Sequence, residues 1–206
     1  MIIKVCGMRD PDNIREVAKT GPDWMGMIFY NKSPRFVATP KAALSIPHGI
    51  KRVGVFVDAM PQTIITMVET CNLDIVQLHG NESPTLIRNL RSSIDRELKF
   101  MKVISVVGTS DLEKCEGYED CADYFLFDTK CKERGGSGRQ FDWSVIERYN
   151  GNLPFILSGG IGPEDAERVL ALRHPKLMGI DLNSRFETAP AVKDAEALSR
   201  FIKQLI

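Results

Sequence analysis

Eight short apolar runs, helical patterns in the gaps between them, and prolines placed just after capping residues predict an α/β fold for this 206-residue chain. Together they imply a single (β/α)8 TIM barrel that fills residues 1–206 as one domain. The runs are Ile2–Cys6, Trp24–Tyr30, Val53–Val57, Ile75–Leu78, Phe100–Ile104, Tyr124–Phe127, Pro154–Leu157 and Leu177–Leu182. Most are continuous rather than alternating, as strands covered on both faces should be.

Helical faces fall between the runs. Ile14, Val17 and Ala18 share one, then Ile64, Ile65, Met67 and Val68, then Leu86, Ile87 and Leu90. Ala166, Val169 and Leu170 repeat the spacing, and Leu198, Phe201, Ile202 and Leu205 close it. Asp10-Pro11, Thr39-Pro40, Ser83-Pro84 and Gly162-Pro163 each set a cap before a proline at the first helical position, where the missing N–H costs nothing. The segments near 40–46 and 110–116 carry the faintest helical patterns. Periodicity alone also fits an open doubly wound sheet, but its usual GxGxxG after the first strand is absent, and so is a P-loop.

Hydrophobic residues make up 43% of the chain and charged residues 26%, which suits a globular core and sets aside disordered or collagen-like classes. The 27 basic side chains balance the 27 acidic ones, so no global charge draws the chain to nucleic acid or to an anionic membrane. Met1-Ile-Ile-Lys-Val lacks the features of a secretion signal, and no stretch approaches the ~20 apolar residues that cross a bilayer. Cys6, Cys71, Cys115, Cys121 and Cys131 form an odd set without a CxxC pair, which fits a reducing cytoplasm. His48, His79 and His174 are too scattered for a local metal motif.

In such a barrel, chemistry gathers at the C-terminal strand ends, where the βα-loops converge. Those ends read Cys6-Gly7-Met8-Arg9 after the first strand and Tyr30-Asn-Lys-Ser-Pro-Arg35 after the second. The fourth gives Gln77-Leu-His79-Gly80, and the sixth Asp128-Thr129-Lys130, followed by Gly135-Gly136-Ser137-Gly138. The seventh ends in Ser158-Gly159-Gly160 and the eighth in Asp181-Leu-Asn183-Ser184. Glycine lets backbone N–H groups approach an anion, and the last two strand ends are where these barrels hold phosphate. The same glycines also suit ordinary turns. Cys71, Cys115 and Cys121 read as small buried hydrophobes, whereas Cys6 closes the first strand and precedes a glycine. Asp128 has the matching place on the sixth strand, with an N-cap or a salt bridge as its structural alternative.

Nine stretches extend the pattern in order along essentially the whole chain. They are Lys4-Val-Cys-Gly-Met-Arg9; Gly26-Met-Ile-Phe-Tyr30 with Ser33-Pro-Arg35; Val53-Gly-Val-Phe-Val57; Val76-Gln-Leu-His-Gly80; and Phe127-Asp-Thr-Lys130. Gly135-Gly-Ser-Gly138 with Phe141-Asp-Trp143, Leu157-Ser-Gly-Gly160, Asp181-Leu-Asn-Ser184 and Val192-Lys-Asp194 complete the set. Together they resemble the phosphoribosylanthranilate isomerase family of tryptophan biosynthesis. The resemblance implies an Amadori rearrangement of N-(5-phosphoribosyl)anthranilate, an aminoaldose, to 1-(2-carboxyphenylamino)-1-deoxyribulose 5-phosphate, without a metal, nucleotide or redox cofactor. It implies Asp128 as the general acid at the leaving furanose oxygen and Cys6 as the general base at C2′. Arg35 would hold the anthranilate carboxylate, or else sit in a surface salt bridge. His79 would line the pocket or serve as a buried structural histidine. Ser158, Gly159, Gly160, Asn183 and Ser184 would hold the phosphate, with Gly136 a further substrate contact.

Two residues depart from the family pattern. Arg185 stands beside the phosphate site where a small residue is usual, and Ala191 replaces a glycine in the Pro-Gly-x-Lys-Asp ending.

Both catalytic groups would need tuning. A free thiol with pKa ~8.5 is only a few per cent thiolate at neutral pH, and a carboxyl at ~3.9 needs about 4 kcal/mol to be protonated at pH 7. Burial raises a carboxyl pKa but disfavours a thiolate, so Cys6 needs a donor or a positive charge nearby, for which Arg9 is a candidate. Other readings are a metal-dependent sugar-phosphate epimerase, a lyase using Lys130, and a silent phosphate-metabolite binder. The partner expected is a small phosphorylated substrate, with no nucleic acid and no membrane, bound by a monomer or homodimer.

Overall fold

The computed structural model describes residues 1–129 and 143–205. Its strands β1 (Ile2–Val5), β2 (Trp24–Ile28), β3 (Lys51–Phe56), β4 (Ile75–Leu78), β5 (Lys99–Val106), β6 (Tyr124–Thr129), β7 (Phe155–Ser158) and β8 (Leu177–Leu182) each pair in parallel with their sequence neighbours. β8 closes onto β1, with Ile3 opposite Ile180 and Val5 opposite Leu182. That last pairing makes the sheet the predicted barrel and rules out the open doubly wound alternative.

Trp24, Val53, Ile75, Met101, Val103, Leu126 and Ile156 form one apolar cluster that fills the inside of the barrel. Their neighbours along the strands, among them Met25, Val76, Phe100, Phe125 and Phe155, belong to a larger core beneath the helices. Burial on both faces is why the strands read as unbroken apolar runs. The polar exceptions buried within these eight barrel strands are Lys4, Gln77, Lys102, Thr129 and Asp181.

The helices are α1 (Pro11–Ala18), α2 (Pro61–Cys71), α3 (Pro84–Ser93), α4 (Ala166–Ala171) and α5 (Ala195–Leu205). Asp10 caps α1 by accepting from the N–H groups of Asp12 and Asn13, and Ser83 caps α3 by accepting from Leu86. The expected start at Gly162-Pro163 is displaced, because α4 opens only at Ala166. The Asp165 carboxylate turns back to accept the Gly162 N–H at 2.8 Å, which makes residues 162–165 a closed turn rather than a first helical turn. The two faint segments are 3₁₀ helices, Pro40–Ser45 and Thr109–Tyr118, as is Trp143–Arg148. β2 ends at Ile28, short of the expected Tyr30; the chain comes back beside it at Phe36, and the Val37 N–H donates to the Ile28 carbonyl. No described helix is long and apolar enough to cross a membrane.

After β8, a short 3₁₀ turn (Ser184–Phe186) leads into a hairpin, β9 (Glu187–Ala189) and β10 (Val192–Lys193), which the sequence pattern did not announce. Ala191, the residue standing for the usual glycine, adopts a left-handed φ of 67° in its turn. Asn13 at the start of α1 holds this hairpin, exchanging two hydrogen bonds of 2.9 and 2.8 Å with the backbone of Lys193.

Candidate active site

At the C-terminal mouth of the barrel lies a cavity of about 230 Å³. It brings together Cys6 beyond β1, His79 beyond β4, Asp128 on β6, Ser158, Gly159 and Gly160 at the end of β7, and Asn183 and Ser184 beyond β8. Its remaining lining is Ile28, Val55, Leu126 and Ile161, with Gln77, Asp181 and Arg185 as further polar groups. Gly136, Lys130 and Cys131 lie outside the described residues. Cys71, Cys115 and Cys121 are buried away from the cavity. Among the described residues, no three His, Cys, Asp or Glu side chains gather as a metal site would require.

Cys6 sits in a buried field of charge. A strand's period of two puts Lys4 on the same inner face, one step deeper. The Lys4 ammonium is fully buried and donates to Asp181 Oδ1 at 2.9 Å, a pairing across the β1–β8 seam. Gly26 on β2 makes room for both groups. A Cβ at Gly26 would stand 2.8 Å from Cys6 Sγ and 3.2 Å from Lys4 Nζ, so any larger residue would displace the thiol or the ammonium. Burial would depress the Lys4 pKa, but Asp181 and the Cys6 thiolate outweigh it and hold the amine above its ordinary value. Burial also pushes the Cys6 thiol up, against the pull of Lys4 first and Lys193 second. Arg9, the expected source of charge, points elsewhere; its guanidinium donates to the carbonyls of Pro34 and Pro190.

Arg35 does not line the cavity. Its guanidinium grips Glu187 on β9, with Nε 2.8 Å from Oε1 and Nη2 2.6 Å from Oε2. Glu187 also accepts from Lys193 Nζ at 2.5 Å, and Lys193 in turn reaches Asn183 Oδ1 at 2.8 Å. Burial would raise the Glu187 pKa, but Arg35 and Lys193 reverse this and hold the carboxyl below its ordinary range. The expected bidentate partner of Arg35 is thus supplied within the chain, and Nη1 carries none of these bonds.

Opposite, His79 Nε2 stands 3.5 Å from Asp128 Oδ2. The loop carrying His79 is anchored by Glu82, which accepts from the N–H groups of Asp58 and Gly80 at 2.9 Å each and pairs with the buried Lys102 at 2.9 Å. On the phosphate side, Gly159 has a φ of 104°, and a Cβ there would lie 2.2 Å from the Thr129 carbonyl oxygen. Only glycine brings the β7 loop this close to β6. Arg185 lines the same end of the cavity and pairs with Glu164, with both side chains about half exposed.

Lys4, Gln77, Asp181, Glu187 and Lys193 are polar residues of this region to which the sequence attached no role. A lysine inside an apolar strand, two residues before the candidate base, was the available signal for the first. Gln77 Oε1 is, among the described residues, the buried side-chain oxygen without a hydrogen-bond partner.

Comparison with known proteins places this geometry. The family model for N-(5'phosphoribosyl)anthranilate (PRA) isomerase matches residues 3–204. The chain is 48% identical over 210 residues to the N-(5'-phosphoribosyl)anthranilate isomerase of Parabacteroides distasonis, covering 100% of this chain and 94% of that one. With the enzyme of Phocaeicola vulgatus it shares 45% over 205 residues, covering 100% and 98%. The crystal structure of phosphoribosyl anthranilate isomerase from Thermotoga maritima superposes with a TM-score of 0.86 at 32% identity, over 100% of this chain and 98% of that one. Fold, strand-end chemistry and relatives agree, and the chain belongs to the N-(5'-phosphoribosyl)anthranilate isomerase family.

Proposed function

We propose that Cys6 is the general base and Asp128 the general acid of the Amadori isomerisation that membership of this family brings. The chain is an aldose–ketose isomerase of tryptophan biosynthesis. What supports the assignment of roles is one observation: a thiol and a carboxyl from β1 and β6 line a single cavity whose far end is the glycine-containing loop after β7.

In this mechanism the phosphate rests against Ser158, Gly159, Gly160, Asn183 and Ser184, and the anthranilate end lies toward Arg35, whose Nη1 meets the carboxylate. A crystal structure of a relative at 29% identity holds reduced 1-(o-carboxyphenylamino)-1-deoxyribulose 5-phosphate, a compound with both ends. Asp128 donates its proton to the furanose oxygen as the C1′–O bond breaks, and the anilino nitrogen's lone pair forms the C1′=N bond. Cys6 then takes the C2′ proton, whose electrons become the C1′=C2′ bond as the iminium nitrogen is neutralised. The enolamine tautomerises to the 2′-ketone. His79, 3.5 Å from Asp128, is placed to orient that carboxyl.

The productive state therefore has a thiolate at Cys6 and a protonated Asp128. It holds as many protons as a thiol with a carboxylate. Its fraction is set by the difference between the two pKa values and stays constant with pH between them. The Thermotoga maritima enzyme is described as dimeric, with monomers generated from it. The groups named here all come from one chain, so the same roles serve a monomer or a homodimer.

The test is the loss of substrate fluorescence on adding protein, beside Cys6→Ser and Asp128→Asn. Wild type should turn over, and each variant should lose about 10²–10⁴-fold in kcat. Near-normal turnover in either variant would refute the role of that residue.

A further inference from the structure

Gln77 lies on β4, opposite Val55 of β3 and Met101 of β5, and faces the cavity one step below His79. It is 2% exposed, and its Oε1 has no hydrogen-bond partner among the described residues. Ile28, Val55 and Leu126, which line the cavity with it, are apolar, and the nearby Asp181 carboxylate is taken by Lys4. A buried acceptor left unmet costs free energy, and an apolar side chain of similar size would spare the protein that cost. The side chain thus lines the cavity while carrying an acceptor that no group of the described chain meets.

We propose that Gln77 accepts a hydrogen bond from a hydroxyl at C2′ or C3′ of the substrate's ribose chain, and so makes the cavity specific for a sugar that carries it. The proposal rests on the Cys6–Asp128 reading, which sets the sugar across the mouth above Gln77. An amide oxygen needs an O–H or N–H donor. The ionised phosphate and the carboxylate offer none. The furanose oxygen is given to Asp128, and the anilino N–H travels with the aromatic end toward Arg35. The C2′ and C3′ hydroxyls remain, on the carbons next to the bond changes. A site built to bond a substrate hydroxyl rejects an analogue lacking it far more strongly than an apolar pocket can.

The experiment measures binding of the reduced product analogue, 1-(o-carboxyphenylamino)-1-deoxyribulose 5-phosphate after reduction, and of counterparts lacking the C2′ or the C3′ hydroxyl. Wild type is compared with Gln77→Met, a near-isosteric change, and with Gln77→Leu should the first fail to fold. Wild type should bind the parent about tenfold more tightly than one of the deoxy compounds. Gln77→Met should lose that preference by weakening the parent alone, while its melting temperature holds or rises because the unmet acceptor is gone. A residue of purely structural importance would instead lower the melting temperature and leave the preference intact, and that result overturns the proposal. So does a wild type that binds all three compounds alike. A wild type that discriminates without turning over substrate would support Gln77 while refuting the catalytic pair. An active wild type whose variant still discriminates refutes Gln77 alone.

Discussion

Replacing Lys4 by methionine should lower the plateau of the pH–rate profile and at the same time move its alkaline limb upward. Sγ of Cys6 and Nζ of Lys4 both approach one point, the missing Cβ of Gly26, at 2.8 and 3.2 Å. The two atoms therefore lie at most about 6 Å apart, where a unit charge pair at an effective dielectric of ~20 is worth about 3 kcal/mol. Removing the ammonium makes the thiolate about a hundredfold rarer, and kcat/KM on the plateau falls by that factor. The thiol that is harder to ionise also loses its proton at higher pH, so the descending limb is displaced toward alkali. A variant that is merely damaged would lose height without moving the limb. Lys4→Met also strands Asp181 as a buried, unpaired carboxylate, a defect of about 3–5 kcal/mol in stability. Lys4→Met/Asp181→Asn removes both charges and should recover most of that stability. Because Asp181 raises the Cys6 thiol, the double variant should lie between wild type and the single variant in rate. The assay is kcat/KM by substrate fluorescence from about pH 6 to 10, with urea unfolding as the control for folding. A folded Lys4→Met protein with an unchanged plateau and limb would refute the electrostatic coupling of Lys4 to the base.

Two further outcomes concern stability. Ala191→Gly should stay within about 1 kcal/mol of wild type, since relief of the left-handed backbone is offset by a lost methyl and a more flexible unfolded chain; Ala191→Val should lose more than ~2 kcal/mol by urea unfolding. Equal, large losses in both would show that the turn is not strained. Burial pushes the thiols of Cys71 and Cys115 up to about 11 and about 12, from an ordinary 9.0. Groups whose folded pKa is raised contribute stability that is present below the ordinary value and lost as pH climbs through the folded one. The urea midpoint should therefore fall between pH 9 and 11, and Cys71→Ala should flatten that decline; a midpoint constant over the window would count against the buried thiols.

What could be read from the sequence follows the range of the interactions concerned. Strand runs, the positions of Cys6 and Asp128 at strand ends, and the Asp10 and Ser83 caps depend on neighbours within a few residues, and all of these placements hold. Arg35 shows the limit: an arginine beyond β2 looks ready for a carboxylate, but its Nε–Nη2 edge is already given to Glu187, on a two-strand hairpin too short to leave a periodic trace. Lys4 was visible as an anomaly in an apolar strand, yet its partner Asp181 lies 177 positions away. Arg9, three positions after the thiol, was the choice for a charge beside it, but its side chain crosses to Pro34 and Pro190, and the charge comes from Lys4, two positions before. Gln77 could be placed at a strand end from sequence, but an acceptor left without a partner is a property of the packed interior.

The seam between β1 and β8 also bears on how the barrel is assembled. Lys4, buried in the first strand, has its counter-ion in the last, and Asn13 fastens the hairpin that follows, 180 positions on. A folding intermediate that covers β1 before β8 docks must shelter a bare ammonium, which costs several kcal/mol. Partly closed barrels are thereby penalised, and the final strand is drawn to a waiting charge. The base gains its full set of neighbouring cations in the same event, since Lys193 arrives with the hairpin. Catalytic competence thus reports on completion of the ring: a chain that has not joined its ends has no tuned thiol with which to act.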